Sequence, residues 1–223
     1  MQEPNRSASR RATPFVIYLV AFFVVWSTVW VAGVYPWAVR RLGDATLAYA
    51  LVNLAFRFAI WVLPVFWYLR VVDRVDPFEY LRLRLRWRRG VAVGVAVSCI
   101  NFALAAWRYG WPHWHHANIT WNSILSTSIL IGFFEEIPFR GFMLQKLEEG
   151  FGFWIAATIS SVLFVGIHVP GWVLYGKLNA SNVAFVMVFG MIMALLFRYT
   201  RSLWAPVVAH SLNDFISAVL FHL

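Results

Sequence analysis

The chain has 223 residues, room for one domain, with 61% hydrophobic and 13% charged, where a soluble domain carries roughly 45–50% and 25%. Its mean hydropathy of +0.66 excludes a soluble globular enzyme, a disordered tail and a coiled coil, because a water-facing surface needs about twice the charge. The formal net charge is +9, but its carriers crowd beside apolar runs, three between Arg6 and Arg11 and five between Arg82 and Arg89. That placement marks loops facing anionic lipid headgroups and argues against a nucleic-acid partner.

A membrane-crossing helix needs about 20 predominantly apolar residues. Windows near 14–35, 46–70, 91–107, 121–147, 153–175, 182–198 and 203–222 meet or approach that length. The expected fold is therefore all-α, a polytopic transmembrane bundle of about seven spans (six to eight), forming a single integral membrane domain over 1–223. The first run, Phe15 to Val34, is longer than a signal-peptide core and has no small-residue cleavage site behind it, so it reads as a retained span. The Met-Gln start offers no myristoylation signal, which leaves anchoring to the spans. Arg57 in the second window is expected to reach an interface or a neighbouring helix. A role in holding a substrate carboxylate has only its charge in favour.

Residues 71–90 are polar, with Asp73, Asp76, Pro77 and an alternating RLRLRWRR run. The alternation allows a strand, but the preferred reading is an interfacial segment whose Leu and Trp dip into the headgroup layer. Cys99 is the one cysteine and rules out an internal disulfide. Its apolar surroundings disfavour a catalytic thiolate. Residues 108–120 form a loop rich in Trp and His. Its His113, His115 and His116 invite a metal reading, yet no carboxylate lies close enough in sequence to complete a site. With the N-terminus in the cytoplasm, that side receives thirteen Lys and Arg against four (Arg40, Arg41, Arg108 and Lys177) on the other. Thirteen Trp and eight Tyr suit two interfacial belts.

The fourth window, ILIGFFEEIPFRGFMLQ, carries charge where charge is expensive. Glu136 and Arg140 are four apart, share a helix face and can neutralise each other. Glu135 is rotated by about 100° and left without that partner, free to take a proton from water. Pro138 removes a helical hydrogen bond beside them and should kink the helix, which is tolerated at depth only against protein or a wet cavity. A purely stabilising bridge accounts for Glu136 and Arg140 but not for the second glutamate. His168 closes the fifth window in FVGIHVP, with Phe164 one turn before it and Pro170 expected to end the helix. His210 lies in the seventh, with Asn213 and Asp214 one turn on. Each alone reads as a hydrogen-bonded core residue. Together, a free Glu, two His and an Asn/Asp pair from three spans are what water-activating hydrolysis requires.

At these residues the chain resembles the CAAX-protease and bacteriocin-processing (Abi) family of intramembrane proteases, and is similar to type II CAAX prenyl endopeptidases. EEIPFR (135–140) matches the family's EExxxR, FVGIH (164–168) its FxxxH, and HSLND (210–214) its HxxxN/D. The resemblance runs from about Gly132 to Phe215. It implies a family-like catalytic core at about 121–222 behind less family-specific spans at 14–107. It further implies an intramembrane endopeptidase acting on a membrane-anchored or lipidated peptide or protein. Carried over by motif, Glu135 and His168 would activate the water, His210 and Asp214 would stabilise the oxyanion, and Glu136 and Arg140 would support the site. Asp214 stands where the family often has Asn. An ionised carboxylate accepts hydrogen bonds only, so Asp214 is either protonated or orients His210, with Asn213 donating in its place. Two His and a Glu also form a zinc-ligand set. The HExxH of ordinary zinc proteases is absent, however, and the expected mechanism uses no cofactor. The competing class is a non-enzymatic scaffold, immunity factor or small transporter using the same polar cluster. Paired halves, as a transporter would show, are not visible. The expected location is a prokaryotic plasma membrane.

Overall fold

The structure is a computed structural model that describes residues 6–112 and 119–221. The chain enters through α1 (Thr13–Leu42) and α2 (Leu47–Asp73). One helical turn, α3 (Pro77–Tyr80), leads into α4 (Trp87–Tyr109). α5 (Asn122–Ile129) and α6 (residues 131–148) follow almost end to end. Next come α7 (Phe153–Leu174), α8 (Ala180–Thr200) and α9 (residues 204–221). No strand occurs among the described residues. The molecule is thus an all-helical, polytopic membrane protein. Among the described residues five helices, α1, α2, α4, α7 and α8, are long and apolar enough by themselves to cross a bilayer. The windows at 121–147 and 203–222 fold as α5–α6 and α9, and these carry most of the ionisable residues of the interior. Cys99 faces outward from α4 rather than into the bundle. The cluster His113, His115 and His116 lies outside the described residues.

Residues 71–90 do not pair as a strand. Arg82 and Arg86 adopt left-handed turns at φ 55° and 47°, which break any extended run. The expectation that the leucines dip into the headgroup layer fails at two of them. Leu81 and Leu83 are buried in the protein, whereas Leu85 and Trp87 are exposed. The segment is pinned by Trp204 Nε1 donating to the Leu83 carbonyl at 2.8 Å and by Leu203 N–H bonding to the Arg82 carbonyl. Pro170 does not end α7, which continues to Leu174. So near a C-terminus the proline forfeits one hydrogen bond and little else. Exposed tryptophans gather at both ends of the bundle, Trp67, Trp87 and Trp154 at one and Trp37, Trp107, Trp111 and Trp121 at the other.

Lipid supplies little hydrophobic drive between helices, so close van der Waals packing must hold them. An aromatic face of α1 (Tyr18, Phe22, Trp26 and Trp30, four residues apart) is buried. It meets α2 and α6 through Trp26 on Trp61 (4.6 Å between rings) and Tyr18 on Phe142 (5.0 Å). α6 is buried on every side from Ile137 to Leu144. Small residues let α9 approach its neighbours. Gly90 and Gly94 of α4 lie against Ser202, Ala205 and Val208, and Gly132 of α6 lies against Val207 and Ser211. A Cβ on Gly132 would come within 2.6 Å of Ser211 Oγ and closer still to the Val207 carbonyl. Gly132→Val should therefore part α6 from α9, at a cost of about 1–3 kcal/mol or more. Thermal unfolding in detergent should show the loss, and Gly150→Ala, where a Cβ meets nothing within 4 Å, should show none.

Candidate active site

α6 carries the acidic pair. Beyond Pro138 its hydrogen bonds widen to the i+5 spacing, ending with Leu144 N–H on the Phe139 carbonyl. Proline has no N–H to donate, and such widened turns recur at functional sites. Glu136 Oε1 accepts from Arg140 Nη1 at 3.0 Å and from His210 Nδ1–H at 2.7 Å. Arg140 Nη2 in turn donates to the Gly190 carbonyl of α8 at 3.1 Å. Its guanidinium also lies over the Phe164 ring at 4.4 Å. Glu136 and Arg140 are both 0% exposed, so the expected i,i+4 pair is the buried floor of the site.

Glu135 departs from the sequence-based reading in one respect. It was expected to lack a partner, because no cation lies one turn away on its own helix. The structure supplies one from α2, with Arg57 Nη1 at 3.5 Å from Oε1. The other oxygen, Oε2, is 3.7 Å from His210 Nε2. His210 Nε2 also lies 3.5 Å from Asp214 Oδ2. Asp214 Oδ1 accepts from Asn213 Nδ2 at 3.0 Å, and Asn213 Oδ1 accepts from Asn101 Nδ2 of α4 at 2.9 Å. His168, on α7, gives Nδ1–H to the Phe164 carbonyl at 2.8 Å. That bond places a proton on Nδ1, so in the neutral ring Nε2 is the acceptor.

These side chains converge. Glu135, His168, His210, Asn213 and Asp214 line one cavity of about 110 Å³, walled by Phe164, Phe185, Val186 and Phe189. Phe164 stacks edge-on against both histidines, 5.0 Å from His168 and 5.9 Å from His210, and Phe189 lies 4.8 Å from His210. The volume is large enough to hold water. Among the described residues no group of three or more His, Cys, Asp or Glu side chains is arranged to hold a metal ion. Arg57, Asn101 and Gly190 were not placed here by sequence. The lone charge of Arg57 in an apolar window was the signal for it, whereas nothing local distinguishes Asn101 or Gly190.

Residues 117–216 match the family described as "Type II CAAX prenyl endopeptidase Rce1-like". Over 94 residues the chain is 30% identical to the "Putative membrane peptidase YdiL" of Bacillus subtilis (strain 168), an alignment covering 42% of this chain and 35% of that relative. The chain thus spans about a third of the length of the curated relative it matches. No solved structure matches it. The two matches support the resemblance to CAAX-type membrane peptidases read from the motifs at 135–140, 164–168 and 210–214, all of which lie inside the matched stretch. Arg140→Met would strand Glu136 in the interior and should cost about 3–5 kcal/mol. Denaturation in detergent would detect it, and an unchanged stability would show that the pair is not held as described.

Proposed function

We propose that the chain is an intramembrane endopeptidase that hydrolyses a peptide bond through a water activated by Glu135 and His168. The observation that carries this reading is the single cavity shared by Glu135, His168, His210, Asn213 and Asp214. His168 Nε2, left as an acceptor, holds the water, and Glu135 Oε2 takes its proton as the oxygen attacks the carbonyl carbon. Negative charge then develops on the carbonyl oxygen. His210 Nε2–H faces it, steadied through Nδ1–H by Glu136. Collapse of the tetrahedral species breaks the C–N bond, and Glu135 passes its proton to the leaving amine. Of the two roles open to Asp214, orienting His210 suits the geometry. Its Oδ1 accepts from Asn213, and its Oδ2 flanks the imidazole.

The reaction in this reading uses no metal, with Arg57, 3.5 Å from Oε1, as the cation beside Glu135. The substrate is a membrane-anchored or lipidated peptide segment, suited to the apolar wall of Phe185, Val186 and Phe189. The location is a prokaryotic plasma membrane with the N-terminus cytoplasmic. Support comes from the clustering of Arg82, Lys146, Arg198 and Arg201 at one end of the bundle. There Lys146 pairs with Asp73 at 2.8 Å and Arg198 with Glu148 at 3.4 Å.

In proteoliposomes presented with membrane-anchored peptides, Glu135→Gln should lower turnover by about 10²–10⁴-fold while the protein still folds. Undiminished cleavage would refute the assignment of Glu135, and the absence of wild-type cleavage would favour the non-enzymatic scaffold. Chelation with EDTA or phenanthroline should leave wild-type turnover unchanged, and its loss would overturn the metal-free mechanism.

A further inference from the structure

Arg57 is a full charge in the middle of α2, with its side chain only 13% exposed, and the mechanism above gives it no part. The protein nevertheless holds it firmly. Its Nε donates to Asn53 Oδ1 at 2.9 Å, one turn back, and Asn53 Nδ2 donates to Asn122 Oδ1 of α5 at 3.3 Å. The guanidinium lies 5.2 Å from the Trp61 ring and 5.9 Å from Trp26, which favours a cation. Trp26 reaches on across the bundle, donating Nε1–H to the carbonyl of Ile167 at 2.8 Å, next to His168. The cage around Arg57 thus touches both helices that carry the proposed water-activating groups.

We propose that Arg57 is a positioning residue for Glu135. This rests on the peptidase reading for its meaning, though not for its geometry. Arg57 does not line the cavity, so it acts on a substrate only through the carboxylate. By drawing Oε1 towards α2, it leaves Oε2 beside His210 and the cavity. The separation of 3.5 Å, with Nη1 making no hydrogen bond, orients the carboxylate without blocking proton transfer. Arg57 also balances charge. Among the described residues, Glu135, Glu136 and Asp214, when ionised, face the guanidiniums of Arg57 and Arg140 and the doubly protonated imidazole of His210, so the loss of Arg57 leaves one carboxylate uncompensated at membrane depth. α2 lies outside the stretch that matches the peptidase family, so the N-terminal helices supply an element of the site rather than mere anchoring.

The test uses the full-length protein in proteoliposomes with a peptide that the wild type cleaves and Glu135→Gln does not. Arg57→Met should lower kcat by about 10–100-fold and leave KM within about twofold, and Arg57→Lys should restore much of the loss. Thermal unfolding gives a readout independent of turnover. Arg57→Met should lower Tm by about 5 °C or more, and adding Glu135→Gln should recover most of it, because the stranded carboxylate is then gone. An unchanged kcat, a defect confined to KM, or a double variant no more stable than Arg57→Met would each overturn the proposal. Absence of any wild-type cleavage would sink the peptidase reading instead, and the thermal pair would still decide whether Arg57 acts on Glu135.

Discussion

One carboxylate oxygen holds the site together. Glu136 Oε1 receives a guanidinium from its own helix and an imidazole from α9, while the same guanidinium reaches the backbone of α8. Three helices are locked around a group that water does not reach. In the interior such a charge is tolerable only with its partners in place, so the network forms whole or not at all. With His210 held from below, its second nitrogen can face the cavity and Asp214, while Glu135, one residue along, is turned towards that cavity by the helical rotation.

The rest of the fold serves that arrangement. α6 is enclosed by neighbours on all sides, which keeps its two glutamates from lipid. The approach of α9 depends on Gly132, Gly90 and Gly94, where side chains would collide with backbone. Gly190 has the same function for α8, since a Cβ there would crowd Arg140 Nη2 at 3.2 Å and Ser161 Oγ at 2.9 Å. Small residues at these crossings do in lipid what hydrophobic burial does in water.

Much of this was legible in the sequence, for reasons that differ between features. Helix positions followed from apolar length, which the bilayer imposes, and the Glu136–Arg140 pair from i,i+4 spacing. The convergence of α6, α7 and α9 was suggested by polar residues that had no other excuse for lying in apolar runs. Long-range partners were not legible. Arg57 meets Glu135 across 78 positions of sequence, and Asn101 meets Asn213 across 112, through helix packing that no local pattern encodes. The leucines at 81 and 83 showed the right alternation but the wrong destination, because two left-handed arginine turns fold them inward. Pro170 was read as a stop by a rule that loses its force in a helix's last turns.

The central claim is that water reaches a cavity inside the membrane where residues 135, 168 and 210 meet, and a charged thiol reagent tests it most directly. Such reagents react with thiolates in water and not with thiols facing lipid, and Cys99, exposed on the outer surface of α4, is a built-in lipid-facing control. The account predicts that the native protein in membranes labels poorly, whereas a His168→Cys, Cys99→Ser variant labels readily. If that variant is as inert as the native chain, the cavity is dry and the hydrolytic account is contradicted.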